Sequence, residues 1–527
     1  MTALLDARAR HWSVAMTERP SVTGTPDEAA FGPWLAEALR AAMTLGPQAR
    51  IWTFPVAPGD ARHCVAVLVR GAGRRTVLLT GHYDTVSVAD YAEHAPLATQ
   101  PDRLLGALRE RLDARAETPA ERRARADLAT GRYLPGRGLL DMKAGLGAGL
   151  AVMEAFAADA GARGNLLFIA VPDEENASAG ARAAAARLEA IAAEEGIAVE
   201  AVVNLDSIAD DGDGSEGRIV ALGTVGKVLP TAFVVGTPVH SGFPLRGLNA
   251  AVLAGIVAAR VEWAAELTDG PAGTPPSLLS LTDGRTGYDV TTPATAWAYW
   301  SVLNRHRDPA AVLAAFEGLC RTALREGLAA LAARGGIAAP EVPVVRFADL
   351  WAGALAAGGG TALRMMAEDL AGMDLSIPDQ CRRLTAATWA ASGRAGPAVV
   401  VGFGSVPYPA THLSEGPLHD AVRALVAEAP ARHGVTIAAA DFFAGISDMS
   451  FFGGSDPEAM TPVAANTPAW ASAIAPGGDR VAGLPTVNLG PWGRDYHTPL
   501  ERLETDYAFR VLPRLLQDLI GRVLADA

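Results

Sequence analysis

The sequence predicts an α/β fold built on a doubly wound, mainly parallel sheet, into which an α+β segment is inserted. Of the 527 residues, 50% are hydrophobic and 20% are charged, proportions that are typical of folded globular proteins. Short apolar runs that end in polar residues alternate with helical stretches, which is the pattern of a sheet covered on both faces. The length is sufficient for two or three domains of about 100–200 residues each.

The first part of the chain supplies these elements in order. The capping sequence formed by Thr25, Pro26 and Glu28 predicts a helix start at Thr25, and Pro33 predicts a kink or a restart in that helix. Residues 101–130 are charge-dense and helical, which indicates a solvated surface excursion. The other predicted elements are strands at Cys64–Arg70, Thr76–Thr80, Asn165–Val171 and Ala201–Leu205, and helices at Gly145–Ala158 and Ser178–Glu195.

The pattern changes after the polar loop Asp210–Gly217, which we interpret as a linker at a domain boundary. An α+β insertion follows, with helices at Leu248–Leu267 and Asp308–Arg334 and a last strand at Ala398–Phe403. The first pattern then returns with a helix at Leu418–Ala429, a strand near Val435 and a strand at Thr486–Leu489. We therefore expect a main domain formed by residues 1–216 and 412–527, interrupted by an inserted domain at residues 217–411.

Composition excludes several classes of protein. The formal net charge of −13 gives no general attraction for nucleic acid. Three cysteines without a C-x-x-C pair exclude a disulfide framework and a cysteine-rich zinc site, and they fit a reducing cytoplasm. The N-terminal stretch lacks the apolar core of a signal peptide, and no window of about 18 residues is apolar enough to span a membrane.

Familiar nucleotide and hydrolase motifs are incomplete. GTVGK at 223–227 lacks the first glycine and the Ser/Thr of a phosphate loop, and GLGAGL at 145–150 lacks the spacing of a dinucleotide-binding loop. The sequence contains no H-E-x-x-H and no G-x-S-x-G. These observations disfavour ATP-driven, nucleotide-redox and serine-hydrolase chemistry.

Five separated segments carry acids or a histidine where a strand ends or a turn begins. Ligands of doubly wound sheets bind beyond the carboxyl ends of the strands, so the five segments can meet in one crevice. Each residue also has an ordinary structural interpretation, such as a helix cap or a solvated side chain, but one shared site accounts for all five segments together. The residues are His82 with Asp84, Asp141, Glu174 with Glu175, Asp206, and His497.

The residue types indicate what the crevice would bind. Two imidazoles and several carboxylates without a thiolate suit zinc or a neighbouring first-row divalent ion. One bridging carboxylate, with one histidine and one carboxylate for each metal, builds a two-metal site with a spacing of roughly 3.5–4 Å. Such a site lowers the pKa of bound water and polarises a carbonyl group.

These segments together resemble the zinc metallopeptidase family of acetylornithine deacetylase, succinyl-diaminopimelate desuccinylase, aminoacylase and glutamate carboxypeptidase. Six motifs carry the resemblance in the order of the family: GHYDTV, GRGLLDMKAG, VPDEEN, NLDS, GTPVHSGFPLRGLNA and YHTPLE. The length of the chain and the segment GPWGRDYHTP most resemble the long arginine-utilisation (RocB-type) branch.

The resemblance implies a catalytic domain that holds two divalent metal ions, zinc in the first instance and cobalt or manganese as alternatives. One ion would be held by His82 and Asp206, the other by Glu175 and His497, and Asp141 would bridge them. The inserted domain would then be the lid of the family, which also carries the usual dimer contact.

The resemblance also implies catalytic and substrate-binding roles. Glu174 would be the general base that takes a proton from the attacking water and passes it to the leaving amine. Asp84 would hydrogen-bond His82 and fix its tautomer. In the lid, His240 would stabilise the oxyanion of the tetrahedral intermediate, with a reach across a dimer as one possibility, and Asn249 would line the substrate side.

The chain departs from the family pattern in three places. The separation between His82 and Asp141 is longer than usual, and residues 101–130 account for the excess. The helical stretch near 346–395 enlarges the lid. The D-x-R pair of a later lid strand is absent from the aligned WSVLNRHRD, where Arg305 or Arg307 is the candidate to anchor a substrate carboxylate.

The expected function is hydrolysis of the amide bond of an N-acyl amino acid or a small peptide by metal-bound hydroxide. Two alternatives remain open at this point: a non-catalytic metal-dependent binding or regulatory protein on the same fold, and a dipeptidase rather than a deacylase. We expect a cytoplasmic enzyme that acts on small molecules, contacts neither membrane nor nucleic acid, and can form a homodimer through the lid.

Overall fold

The computed structural model describes residues 2–46, 49–210, 217–270, 273–285, 287–443, 445–453, 460–478 and 480–525. Its helices are α1 (Thr2–Thr17), α2 (Pro26–Ala42), α3 (Pro101–Ala114), α4 (Pro119–Ala129), α5 (Ala144–Ala157), α6 (Ala179–Glu195), α7 (Ala250–Val261), α8 (Pro309–Gly335), α9 (Phe347–Ala356), α10 (Gly360–Ala371), α11 (Ile377–Ala391), α12 (Pro417–His433), α13 (Met449–Gly453), α14 (Thr461–Ala465) and α15 (Leu512–Ala525).

Strands alternate with these helices along the chain. They are β1 (Arg50–Pro55), β2 (His63–Arg70), β3 (Ala72–His82), β4 (Tyr133–Pro135), β5 (Arg163–Val171), β6 (Ala198–Asn204), β7 (Ile208–Asp210), β8 (Ile219–Ala221), β9 (Gly223–Thr224), β10 (Gly226–Val228), β11 (Pro230–Val235), β12 (Ser277–Asp283), β13 (Thr295–Asn304), β14 (Val344–Arg346), β15 (Ala398–Phe403), β16 (Thr411–His412), β17 (Ala438–Ala440), β18 (Thr486–Asn488), β19 (Trp492–Arg494) and β20 (Arg502–Glu504).

The chain folds into two compact units. The first contains Met1–Thr224, Thr411–Ser455 and Gly477–Ala527, and the second contains Val225–Ala410 and Asp456–Pro476. The domain bounds inferred from the sequence stay a prediction. They place Asp456–Pro476 in the main domain, whereas this segment belongs to the second compact unit. Within the second unit this segment is tied down by Asn466, whose carbonyl accepts the Phe403 amide at 2.8 Å. Residues 211–216 of the predicted linker lie outside the described residues.

The first unit is built on an eight-stranded sheet in the order β1-β2-β5-β3-β6-β18-β8-β17. The pairs β5–β3, β3–β6, β6–β18 and β8–β17 are parallel, whereas β1–β2, β2–β5 and β18–β8 are antiparallel. Helices cover both faces: α1, α2, α5 and α15 contribute to one core with alternate residues of β2 and β3, and α6 contacts the sheet from the other side. The predicted α/β class with a mainly parallel central sheet is confirmed.

A smaller sheet in the same unit has the order β4-β20-β19-β7. Its strands β19 and β20 form a hairpin, β4 pairs with β20, and β7 runs parallel to β19. The sequence analysis did not predict this sheet, because each of its strands is only three residues long and carries too little hydrophobic pattern to identify.

The second unit is an α+β sheet with helices on both faces. β12 pairs with one edge of β13, while β10 and β11 pair with the other edge, and β15 and β14 continue the sheet beyond β11. Residues of α7 and α8 form a core with β11 and β13 on one face, and residues of α9 and α11 pack on the other face. The predicted helical stretch near 346–395 corresponds to α9, α10 and α11.

The start of α2 differs from the predicted capping box. The hydroxyl of Thr25 donates to the Val22 carbonyl at 2.6 Å, and the carboxylate of Glu28 accepts the Gly24 amide at 2.7 Å. The prediction that Thr25 caps this helix with its side chain is therefore wrong, because its hydroxyl is engaged by the preceding turn. The helix also continues through Pro33 rather than restarting there, with Pro33 on its exposed face.

Residues 101–130 are helical, as predicted, but they are more than a solvated excursion. Helices α3 and α4 turn an apolar stripe into the core of the first unit, formed by Leu104, Leu108, Leu112, Ala124 and Leu128. A true capping box starts α4, since Thr118 accepts the Glu121 amide and Glu121 accepts the Thr118 amide. Because charged residues dominate these helices, the helical spacing of their few apolar residues is hard to recognise in the sequence.

Among the described residues, no helix is both long enough and apolar enough to cross a bilayer.

Replacing Leu112 by alanine should lower the free energy of unfolding by about 2–5 kcal/mol, because a fully buried side chain leaves a cavity behind. The control is Leu4→Ala, which removes the same atoms from a side chain that is 65% exposed. Urea denaturation followed by circular dichroism should show a lower midpoint for Leu112→Ala only. Equal midpoints would mean that residues 101–130 are a surface excursion after all.

Candidate metal centre

Three neighbouring strands of the main sheet deliver ligand-type side chains to one edge. β3 lies between β5 and β6, and the three strands run in the same direction. His82 is the last residue of β3, Glu174 and Glu175 follow the end of β5, and Asp206 follows the end of β6. Because parallel strands end at the same edge of a sheet, the residues that follow them lie close together there.

Two further ligand-type side chains come from the smaller sheet. Asp141 lies in the turn Leu139–Lys143, after β4 and before α5, and His497 lies between β19 and β20. These two segments lie side by side because β4 pairs with β20. Glu501 links them directly, since its carboxylate accepts the Gly138 amide at 3.0 Å.

The donor atoms form three groups, and two of these share the carboxylate of Asp141, while the third combines His82, Glu174 and Glu175. Nε2 of His82 lies 3.3 Å from Oδ1 of Asp141 and 3.8 Å from Oδ1 of Asp206. Nε2 of His497 lies 3.0 Å from Oδ2 of Asp141 and 3.1 Å from Oε1 of Glu175. Asp141 therefore presents one oxygen to each of the two groups that share it, and within each group the ligand atoms lie within 4.8 Å of one another.

The spacing and chemistry of these groups fit divalent metal ions. Donor atoms of a tetrahedral zinc site lie about 3.3 Å from one another, which is close to the observed separations. Each group combines an imidazole nitrogen with carboxylate oxygens and contains no thiolate, a donor set that suits zinc, cobalt or manganese. The two groups that share Asp141 can therefore each hold one such ion.

The tautomer of His82 suits metal binding. Its Nδ1 lies 3.0 Å from the backbone carbonyl oxygen of Asp84, a hydrogen-bond distance. When the Nδ1–H donates to this carbonyl, the lone pair of Nε2 faces Asp141 and Asp206.

The carboxylate of Asp84 makes contacts that the sequence does not predict. Its oxygen is 3.7 Å from Nδ1 of His82, too far for a hydrogen bond. It instead accepts the backbone amides of Glu174 at 3.1 Å and Glu175 at 3.2 Å, and the Thr23 hydroxyl at 2.8 Å. Asp84 therefore accepts the hydrogen bond of His82 through its backbone carbonyl, whereas its carboxylate binds the amides that follow the adjacent strand β5. Asp84 therefore orients the two glutamates.

The electrostatics of the cleft favour a cation. Burial opposes ionisation of Asp141, but hydrogen bonds from His497 and His82 outweigh it and hold the pKa of this carboxyl below its ordinary range. Burial also opposes a charged ring at His497, yet hydrogen bonds to Asp141 and Glu175 raise the pKa of this imidazole to about 10. The surrounding carboxylates thus stabilise positive charge in the cleft, as a metal site requires.

Glu174 is a buried carboxyl whose surroundings favour its protonated form. Burial raises its pKa well above the ordinary value, and the charges of Asp448 and Asp206 raise it further, although His82 opposes them. One oxygen of Glu174 lies within 4.8 Å of ligand atoms of His82 and Glu175. A carboxyl with a raised pKa beside a metal site can take up a proton and release it again.

Two residues that the sequence analysis did not assign support the ligands. Asn488, the last residue of β18, accepts the Asp206 amide at 3.0 Å and donates to the Asp206 carbonyl at 2.8 Å. Asn488 stands at the end of a strand, as the predicted ligands do, so the same pattern could have identified it from the sequence. Arg137 donates to Glu501 at 2.8 Å and to Asp90 at 2.6 Å. It lies within GRGLLDMKAG, but nothing in that motif indicates its contact with Glu501.

The remaining candidate residues lie in the second unit. His240 is exposed, and its Nδ1 accepts the Gly242 amide at 3.0 Å. Asn249 caps α7 by accepting the Ala251 amide at 2.9 Å, a role that the sequence analysis did not assign to it. It also borders a cavity of about 270 Å³ with a mainly apolar lining.

Arg305 lies in the same unit, directly after β13. Its side chain is exposed, and its backbone amide donates to the carboxylate of Asp269 at 2.6 Å. The guanidinium of the alternative candidate, Arg307, donates to the carbonyl of Glu266. The loop after β13 is therefore bound to Glu266 and Asp269 of a neighbouring loop, and the side chain of Arg305 lies at the surface of the unit.

Comparison with known proteins agrees with this fold. A model of Peptidase family M20/M25/M40 matches residues 78–471. The chain is 28% identical to Uncharacterized protein YqjN of Bacillus subtilis over 486 residues, which cover 88% of this chain and 87% of that protein. It is 25% identical to Protein RocB of Bacillus subtilis over an alignment of 552 positions, which covers 98% of this chain and 95% of that protein.

Solved structures share the fold at low sequence identity. Aminopeptidase PepT from Bacillus cereus has a TM-score of 0.56 and 15% identity, with 98% of each chain covered. The YXEP protein of Bacillus subtilis, described as a dinuclear metal binding peptidase, has a TM-score of 0.50 and 12% identity, with 99% of each chain covered. The predicted resemblance is confirmed: with most of its length matched by the family model, this chain belongs to Peptidase family M20/M25/M40.

Proposed function

We propose that this protein is a dinuclear metal-dependent hydrolase that cleaves the amide bond of an N-acyl amino acid or a small peptide. The observation that carries the proposal is the division of Asp141 between two donor groups, with one oxygen 3.3 Å from His82 and the other 3.0 Å from His497. A carboxylate shared in this way is the centre of a two-metal site. Membership of a peptidase family supports hydrolysis as the reaction.

In this proposal five side chains hold two ions. His82 and Asp206 bind one ion, Glu175 and His497 bind the other, and Asp141 binds both. Zinc is the first choice, with cobalt and manganese as alternatives. Bound ions would polarise the substrate carbonyl and make water more acidic. The description of the YXEP protein as a dinuclear metal binding peptidase is consistent with this assignment.

Glu174 acts as the general base and then as the general acid. Its carboxylate takes the proton of the attacking water and transfers it to the nitrogen of the leaving amine. The Asp84 carboxylate holds the backbone of Glu174 in place, so the side chain starts from a defined position.

The lid residues bind the substrate in this proposal. Because Nδ1 of His240 accepts a backbone amide, the neutral ring carries its proton on Nε2 and can donate it to a developing oxyanion. Asn249 would contact the substrate beside the apolar cavity, and Arg305 would bind a substrate carboxylate. Because the motifs resemble the arginine-utilisation (RocB-type) branch and the chain is 25% identical to Protein RocB, N-acyl derivatives of arginine are the first compounds to test.

We propose a cytoplasmic homodimer formed through the lid. The second unit exposes apolar side chains on the edge strand β12, Leu279 and Leu281, and on the adjacent helix α7, Val252. Exposed apolar side chains on two neighbouring elements would support a protein contact if they form one patch.

Turnover of a substrate panel tests the proposed function. The panel should contain N-acyl amino acids and dipeptides, and each assay should use protein supplied with zinc, manganese or cobalt. One acid plus one amine as products would indicate a deacylase, whereas two free amino acids would indicate a dipeptidase. No turnover with any metal, by a protein that binds two ions, would favour a metal-dependent binding or regulatory protein.

Glu174→Gln should lower kcat by about 10²–10⁴-fold, because the amide cannot accept the proton of the attacking water. The metal content of this variant should remain two ions for each chain, since Glu174 is not one of the proposed ligands. Metal analysis after gel filtration checks this point. Glu189→Gln, which changes an exposed glutamate on α6, is the matched control and should retain wild-type turnover. A Glu174→Gln variant with wild-type kcat would contradict the assignment.

If Asp141 binds both ions, variants of the proposed ligands should lose different numbers of metal ions. His497→Ala should retain one tightly bound ion, because it disrupts only the group that contains Glu175. Asp141→Ala should retain none, because it removes an oxygen from both groups. His11→Ala, in which an exposed histidine of α1 is replaced, should retain both ions. Elemental analysis of the dialysed variants gives the stoichiometry, and equal metal loss from His497→Ala and Asp141→Ala would argue against a bridging role.

A further inference from the structure

The hairpin that carries His497 has an unusual ion network at its base. Arg494 of β19 and Arg502 of β20 are direct cross-strand partners. Like charges at opposite positions of an antiparallel pair repel each other. The side chains are 17% and 1% exposed, respectively, so solvent does little to reduce that repulsion. Carboxylates must offset this repulsion: Asp495 pairs with Arg502, and Asp210 of β7 is the register partner of Arg494 on its other edge.

Asp127 is a carboxylate that the two guanidiniums share. Its carboxylate accepts hydrogen bonds from Arg494 Nη1 at 3.0 and 3.2 Å, and from Arg502 Nη2 at 2.6 Å and Nε at 2.9 Å. The side chain of Asp127 is itself only 15% exposed. One buried carboxylate thus joins the two strands at the point where they would otherwise separate.

The network continues into the loop at the tip of the hairpin. Arg502 also donates to the carboxylate of Asp495 and to the carbonyl of Leu500 at 3.0 Å. Asp495 and His497 adopt positive φ angles of 53° and 59°, a left-handed conformation that is unfavourable for residues other than glycine. Surrounding contacts must hold the loop in this conformation. Arg502, fixed by Asp127, makes two of these contacts.

Asp127 comes from helix α4, within the segment 101–130 that lengthens the chain between His82 and Asp141. The capping box of Thr118 and Glu121 fixes the start of α4, and buried Leu128 anchors its end in the core of the first unit. The helix therefore presents Asp127 from a rigid support.

We propose that Asp127 is a positioning residue for the metal ligand His497, and that helix α4 serves to brace the hairpin β19–β20 from outside the metal centre. This inference rests on the proposed function, because it requires His497 to bind a metal ion. Asp127 does not contact the ligands, so it acts through Arg494 and Arg502. It adds to the site a residue from a segment that the metal-binding motifs do not include.

Zinc titration of the metal-free, full-length protein tests this proposal. Asp127→Asn keeps the shape of the side chain and removes its charge, and we expect it to weaken the binding of one of two zinc ions by about tenfold or more. Competition with a chromogenic chelator measures the affinity. Asp113→Asn, which removes an exposed carboxylate from neighbouring α3, is the matched control and should bind both ions as the wild type does. Asp127→Glu should recover part of the lost affinity.

A second measurement separates positioning from general stability. Hydrogen exchange of the metal-free variants should be faster in the peptide that spans residues 492–504 of Asp127→Asn, with unchanged exchange in the main sheet. The double variant Asp127→Asn with Arg494→Gln removes one of the facing charges, so we expect it to bind zinc more tightly than Asp127→Asn alone. If Asp127→Asn does not fold, the double variant is tested in its place. It should then fold and bind both ions with affinity close to that of the wild type.

The His497→Ala variant distinguishes failure of this inference from failure of the proposed function. If His497→Ala loses one ion while Asp127→Asn keeps both with wild-type affinity and exchange, only the role of Asp127 is overturned. If His497→Ala keeps both ions with wild-type affinity, His497 is not a ligand and both proposals fail. A double variant that binds zinc no better than Asp127→Asn alone would overturn the charge-repulsion argument.

Discussion

The gathering of carboxylates at one edge of the main sheet is the constraint on which the rest of the structure depends. Asp84, Asp141 and Asp206 are buried, and Glu174 and Glu175 are half-buried beside them. Like charges at such short distances destabilise a fold unless hydrogen bonds, opposite charges or a cation offset them. Two imidazoles partly offset the charge, and divalent ions would complete the compensation.

Much of the surrounding structure serves to hold these groups at fixed positions. The Asp84 carboxylate is satisfied by the amides of Glu174 and Glu175, and Asn488 binds both backbone groups of Asp206. Further out, Arg137 and Glu501 form a pair in which each side chain is 1% exposed, between the segments that carry Asp141 and His497. These contacts restrict the ligands to one arrangement, so the site does not depend on bound metal alone for its geometry.

The strand-end acids could be predicted because buried parallel strands have strong local signatures. The runs that became β3, β5 and β6 are continuous and apolar, and polar residues follow each of them. The small sheet could not be predicted in the same way, because its three-residue strands are defined only by pairing between distant segments. The contact between the Asp84 carboxylate and the Glu174 amide could not be predicted for a related reason: it depends on the packing of β5 against β3.

The sequence by itself determined the α/β class, the family resemblance and the identity of the ligand-type residues, because hydrophobic period and residue chemistry are local properties of a chain. Only the tertiary structure decided that Asp141 is divided between two donor groups, that Asn488 holds Asp206, and that Asp127 lies between Arg494 and Arg502. These are distances between residues up to several hundred positions apart, and such distances are set by strand order and packing rather than by local pattern.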